Sequence, residues 1–154
     1  MSPRMETALK SGWLYALAVA VLVLVAYGAH VATLDARSAK PELDLARSQT
    51  TSGGLYVAAI EPEVADVKQG VLHSWVLTVK TADGQPVDDA RVAIDGGMPE
   101  HNHGLPTSPR MTEYLGNGRY RIEGVKFSMS GRWELRFDIS AAPGSDSVTF
   151  NLVL

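Results

Sequence analysis

Between Gly96 and Pro109 the chain reads Gly-Gly-Met-Pro-Glu-His-Asn-His-Gly-Leu-Pro-Thr-Ser-Pro, so Met98, His101 and His103 fall within six positions. Two of the chain's four histidines therefore share one Gly/Pro-rich segment. Met111 and Met129 follow it and His73 precedes it. Imidazole nitrogen suits copper, zinc and nickel, whereas a thioether is soft and neutral and favours Cu(I). A His-x-His spacing puts two rings on one side of an extended segment, able to pinch one ion. The chain has no cysteine. That excludes disulfides, cysteine nucleophiles and the thiolate of a blue-copper centre. A closed structural zinc site would need a fourth donor that no residue here is placed to supply. The candidate ligands are thus His101, His103, Met98, Met129, Met111 and His73, with copper as the ion and Cu(I) as its favoured state. Each has a competing role. The loop histidines could simply be solvated. Met98 before Pro99 and Met129 beside Phe127 could plug a hydrophobic core. His73, close to Trp75, could be a hydrogen-bonded structural histidine.

The elements that must position these groups are strands. From Leu55 onward, short runs of period two alternate with Gly, Pro and Asp at intervals typical of an antiparallel β-sandwich. In Arg132–Ser140, Trp133, Leu135, Phe137 and Ile139 share one face while Arg132, Glu134, Arg136 and Asp138 share the other. Ser147–Leu154 repeats this with Val148, Phe150, Leu152 and Leu154, and Gly70–Lys80 with Val71, Trp75, Leu77 and Val79. Asp89–Asp95 directs Ala90, Val92 and Ile94 inward, and Leu55–Ile60 is the first strand. Arg110–Leu115 and Arg119–Val125 form a hairpin closed by Gly116-Asn117-Gly118, and Asp83-Gly84 is a second turn. The expectation is an all-β fold of about seven strands. If each connection reverses direction, the Met98–His103 loop, the Phe127–Gly131 loop with Met129, and His73 all reach the same pole. Arg110 should then pair near Gly124.

Trp13–Leu34 is the long apolar run. At about 1.5 Å per residue a helix of that length just exceeds a hydrocarbon core of about 30 Å. It is longer than the hydrophobic region of a signal peptide, and Ala26-Tyr27-Gly28 is a weak cleavage site. The expected plan is a cytoplasmic tail (1–12), one uncleaved transmembrane anchor (13–34), a linker (35–54) and an extracytoplasmic domain (55–154). Arg4 and Lys10 precede the span but Arg37, Lys40 and Arg47 follow it, so the orientation rests on the short tail preceding the span and the whole domain following it. His30 falls at the membrane interface.

With 14 Lys+Arg against 17 Asp+Glu, the chain is mildly acidic, which argues against nucleic acid as a partner. Catalytic signatures are missing too. Ser128-Met-Ser130-Gly131 lacks the leading glycine of a nucleophile elbow. Asp88-Asp89 and Glu61/Glu63 flank turns, and no glycine-rich phosphate loop opens a helix. A non-enzymatic module is expected.

Three ordered motifs add a family resemblance. They are Asp83-Gly-x-Pro-Val87-x-x-Ala90-x-Val92, Met98-Pro-x-His101-x-His103-Gly104, and Gly118-x-Tyr120-x-x-x-Gly124-Val125-x-Phe127-x-Met129-x-Gly131-x-Trp133-Glu-Leu135. Over roughly Leu55–Leu154 the chain resembles the YtkA-like domain and is similar to the periplasmic part of FixH-type proteins, without the extended membrane-proximal portion of the latter. The resemblance implies an immunoglobulin-like β-sandwich on an inner-membrane anchor, in a setting of copper handling and respiratory-oxidase assembly. Met98, His101, His103 and Met129 are the positions it carries over. Two roles follow as expectations: a periplasmic module that binds copper or delivers it to an acceptor protein, or an accessory subunit docked on a larger membrane complex.

Overall fold

The structure is a computed structural model describing residues 15–27, 30 and 43–154. The chain divides into two units, Met1–Glu42 and Leu43–Leu154. In the first, residues 15–27 are helical with exposed side chains. Among the described residues no helix is long and apolar enough to cross a membrane. The expected tail (1–12), both ends of the apolar run Trp13–Leu34, and residues 35–42 of the expected linker lie outside the described residues.

In the second unit every strand pairing is antiparallel. Its described strands are β1 (Ser48–Thr50), β2 (Tyr56–Pro62), β3 (Leu72–Thr81), β4 (Arg91–Met98), β5 (His103–Gly104), β6 (Arg110–Gly116), β7 (Arg119–Lys126), β8 (Arg132–Ala141) and β9 (Gly144–Val153). One sheet has the order β1-β2-β3-β7-β6 and the other β5-β4-β8-β9. Their inner faces share one hydrophobic core. The alternation read from β8 is fully realised, with Trp133, Leu135, Phe137 and Ile139 buried, Arg136 exposed, and Glu134 and Asp138 half-buried. Phe137 packs edge-to-face on Phe150 of β9, with centroids 5.9 Å apart. The hairpin turn is as expected: Gly116, Asn117 and Gly118 all take positive φ, which glycine and asparagine tolerate best.

The sequence expectation of about seven strands becomes nine among the described residues, because β1 and β5 are short pieces that periodicity cannot register. β1 lies inside the segment expected to be a linker. It pairs with β2, and the turn after it is fixed by Asp146 of β9. That carboxylate accepts from the Thr51 hydroxyl (2.6 Å) and from the main-chain N–H groups of Gly53 (2.9 Å) and Leu55 (3.1 Å). The folded unit therefore begins at Leu43 rather than Leu55. Val71 is a second correction. It was expected inward with Trp75, but β3 starts at Leu72, so Val71 is exposed and His73 takes the inward place, just before a register irregularity that precedes Trp75. Val92 and Ile94 are only partly buried, since their strand is flanked on one side by the two-residue β5. Arg110 pairs with Glu123, one position from the expected Gly124, in a ladder with two irregularities.

The Thr51 hydroxyl, followed by the Gly53, Leu55 and Ser147 amides, holds the Asp146 carboxyl down at about 2, against an ordinary 3.8. A folded value below the unfolded one means that the stabilisation is present above about pH 4 and is lost as pH falls toward 2. Asp146→Asn should therefore lower the melting temperature at neutral pH, with the gap to wild type closing as pH drops through that window. Thermal melts of both proteins from pH 7 to pH 2.5 check this. A gap that does not change with pH would mean that the charge contributes nothing.

Candidate functional site

The Gly96–Pro109 segment is more ordered than an open loop. Pro99–His101 form one 3₁₀ turn, with proline at its start where no N–H is needed. Asn102 follows in the left-handed region (φ 51°) and its N–H closes the turn on the Pro99 carbonyl at 3.3 Å. The chain then folds back as β5, pairing Gly104 with Gly97 and His103 with Met98. A Cβ on Gly96 would stand 2.3 Å from the Glu134 carbonyl oxygen, and one on Gly97 2.4 Å from that of His103. Gly96 thus lets β4 lie this close to β8, and Gly97 lets β5 lie this close to β4.

His101 and His103 are both exposed, with ring centroids 6.0 Å apart and planes tilted by 30°. An ion about 2.0–2.1 Å from an imidazole nitrogen lies about 3 Å from that ring's centroid, so two rings on one ion stand up to about 6 Å apart. The observed spacing meets that limit. The rings come together through the left-handed Asn102 rather than through the extended His-x-His geometry expected from the sequence. His103 Nδ1 lies 3.3 Å from the Gly104 carbonyl oxygen. A carbonyl can only accept, so in this contact Nδ1–H is the donor, and in the neutral ring that tautomer carries its lone pair on Nε2, the usual arrangement of a metal-binding histidine.

Trp133 links this hairpin to the Phe127–Gly131 loop. Its fully buried ring meets His103 edge-to-face at 5.9 Å and Phe127 at 5.3 Å. Its indole N–H donates to the Met129 carbonyl at 3.0 Å. The sequence marked Trp133 as core, but carried no signal for either contact. Met129 itself is 37% exposed, unlike Met98. His103 also lines a shallow groove of about 430 Å³ with Asp95, Met98, Glu134, Arg136 and Thr149.

The remaining candidates are placed differently. Met98 is 1% exposed and its methyl packs under Gly131, so it is a core side chain rather than an accessible ligand. Met111 is half-buried against the same core. His73 reaches the expected pole but is buried, and its Nε2 is engaged by the main chain of Lys68, 3.1 Å from N and 2.9 Å from O. Its ring ties down the β2–β3 loop. Among the described residues no three His, Cys, Asp or Glu side chains form a group able to hold a metal ion. Two imidazoles, those of His101 and His103, are brought together.

Residues 49–138 match a family model described as YtkA-like. The match begins within β1, in keeping with that strand belonging to the domain. No curated protein matches the chain. Among solved structures it is similar to a ZirS C-terminal domain, at 15% identity and a TM-score of 0.40, over 69% of this chain and 70% of that one. Since the matched stretch takes in more than half of the 154 residues, including the histidine hairpin and Trp133, the chain belongs to the YtkA-like family.

Proposed function

We propose that this protein is a membrane-tethered, extracytoplasmic and non-catalytic module that binds copper, favouring Cu(I), and holds it or passes it to an acceptor protein. His101 and His103 are its principal ligands and Met129 the soft third donor, on an immunoglobulin-like scaffold. The 6.0 Å spacing of the two rings is the observation that carries this proposal. Two neutral imidazoles and a thioether suit a monovalent soft ion better than Zn(II). The tether would be the apolar run Trp13–Leu34, placing the β-domain on the periplasmic side of the inner membrane. The test is a titration of the purified full-length chain with Cu(I) against a chromophoric chelator, alongside Zn(II). One equivalent of Cu(I) bound in preference to zinc is expected.

The anchor has its own test. Mass spectrometry of the native protein should find the N-terminal segment retained, and a mature chain starting near Ala29 would remove the tether.

A second role is favoured by a separate observation. Val64, Val71 and Leu72 are exposed in and after the β2–β3 connection, and Leu72 is 62% exposed. This connection is hydrogen-bonded to the loop that carries Met129, through Gly70 N–H to the Phe127 carbonyl (2.7 Å) and the Gln69 amide to the Ser128 carbonyl (2.9 Å). Exposed apolar side chains at this pole suit an accessory subunit that docks on a larger membrane complex. Leu72→Glu separates the two roles: it should release a docked complex yet leave Cu(I) affinity unchanged.

A further inference from the structure

β4 has only one neighbouring strand along most of its length. β5 covers Gly97 and Met98, and the Leu105 N–H bonds the Gly96 carbonyl at 3.0 Å before the chain crosses to β6 in the other sheet. Among the described residues Arg91–Asp95 is therefore an open sheet edge. The ladder determines which main-chain groups it presents. Gly131 and Leu154 exchange both N–H···O bonds, at 3.0 and 3.1 Å. By alternation, the odd-numbered residues of β8 then bond β9 and the even-numbered ones bond β4. Their partners Arg91, Ala93 and Asp95 are thus engaged, while the N–H and C=O groups of Val92 and Ile94 point off the edge without a partner among the described residues. The other edges are blunted. β6 has two register irregularities and β1 is three residues long. β9 gives its Ser147 carbonyl to the Ser52 N–H and its Asn151 amide to the Asp44 carbonyl. The charges on the β4 edge are open too. Arg91 and Asp95 are exposed. Among the described residues no carboxylate lies within ion-pair distance of Arg91, and Asp95 accepts only the Gly96 N–H, at 2.7 Å.

We propose that two copies of this chain join through β4, antiparallel about a two-fold axis at Ala93. In that register Arg91-Val-Ala-Ile-Asp95 is complementary to itself. Val92 of one copy meets Ile94 of the other, and they exchange N–H···O=C bonds through the groups that the edge leaves open. Arg91 meets Asp95 of the second copy in the more closely spaced kind of pair, where opposite charges directly across stabilise a sheet. Ala93 meets its own copy on the axis. A slip of one residue would set open groups against engaged ones, and a slip of two would put Arg91 opposite alanine or glycine. The half-buried Val92 and Ile94 gain cover as the two sheets become one. The interface is separate from the histidine pair and does not depend on copper.

The chain has no cysteine, so Ala93→Cys in the full-length protein supplies one thiol per copy. On the axis two such thiols stand on Cα atoms about 4.5 Å apart, within disulfide reach, and diamide should link them rapidly. Thr149→Cys, exposed on β9, is the control and should link far more slowly. Charge reversal tests the register. Arg91→Glu and Asp95→Arg should each weaken self-association by about tenfold, since each sets like charges opposite one another on both sides of the axis. Mixed one to one, the two variants should associate as tightly as wild type, because every facing pair is then opposite in charge. Sedimentation velocity of the full-length chain in detergent measures all of these. A wild type that stays monomeric, Ala93→Cys linking no faster than Thr149→Cys, or variants that fail to rescue one another would each overturn the proposal.

Discussion

Replacing His101 and His103 together with alanine will abolish Cu(I) binding and leave the fold intact. Both side chains are exposed, and the hairpin that carries them is held by main-chain pairing of β4 with β5, by the Asn102 turn and by two close-approach glycines, none of which needs an imidazole. The stability change should therefore stay within about 0.5 kcal/mol, as for ordinary surface substitutions. Met129→Leu is the finer probe, because it keeps side-chain volume and removes the sulfur. It should weaken Cu(I) by at least about tenfold, the lower end of what even an outer-shell loss costs a metal site, and leave zinc nearly unaffected. Chelator competition on the wild type and both variants, with melting curves as the control for folding, decides the matter. Equal weak affinity in all three would sink the copper proposal and leave docking as the function.

Trp133→Ala should destabilise the protein by about 3–5 kcal/mol, the range for emptying a large aromatic from a packed core. The ring is fully buried on β8 against Phe127 and in contact with His103. Truncation would leave a void and free the Met129 carbonyl from its donor. Three positions along the same strand, Arg136 faces outward and bonds Asp138 on the surface at 2.7 Å, a pair of the kind worth about 0–1 kcal/mol. Arg136→Ala should thus cost less than about 1 kcal/mol. Denaturant unfolding of both variants gives the contrast. Comparable losses would mean that the strand's register is wrong. Trp133→Phe keeps most of the ring and removes the N–H, so it isolates the hydrogen bond to Met129. It should weaken Cu(I) binding more than its modest loss of stability suggests, because the indole aligns the Met129 loop with His103.

Much of the scaffold follows from local periodicity. Trp133, Leu135, Phe137 and Ile139 alternate with charged residues, and a two-residue period determines which face of a strand is buried wherever the strand ends up. The hairpin at Gly116-Asn117-Gly118 was legible for a similar reason: a turn that needs positive φ restricts the residue types at three successive positions. Reversing direction at each connection was enough to bring His73, Met98, His103 and Met129 to one pole, as the pairing of Gly97 with Glu134 and of Leu72 with Lys126 bears out.

Which of those residues remain available was a tertiary decision. Met98 and Met129 look alike in sequence, yet one packs under Gly131 and the other is partly exposed. His73 is occupied by the Lys68 main chain, because the β2–β3 loop folds back over it. Ser48–Thr50 read as a tether because a three-residue strand has no period to detect. It becomes sheet through a carboxylate 95 residues away, when Asp146 accepts the Thr51 hydroxyl. The chain thus determines by itself what each strand buries, since that depends on near neighbours. Which donors stay free to bind depends on contacts between distant segments, and those exist only once the two sheets have closed on one core.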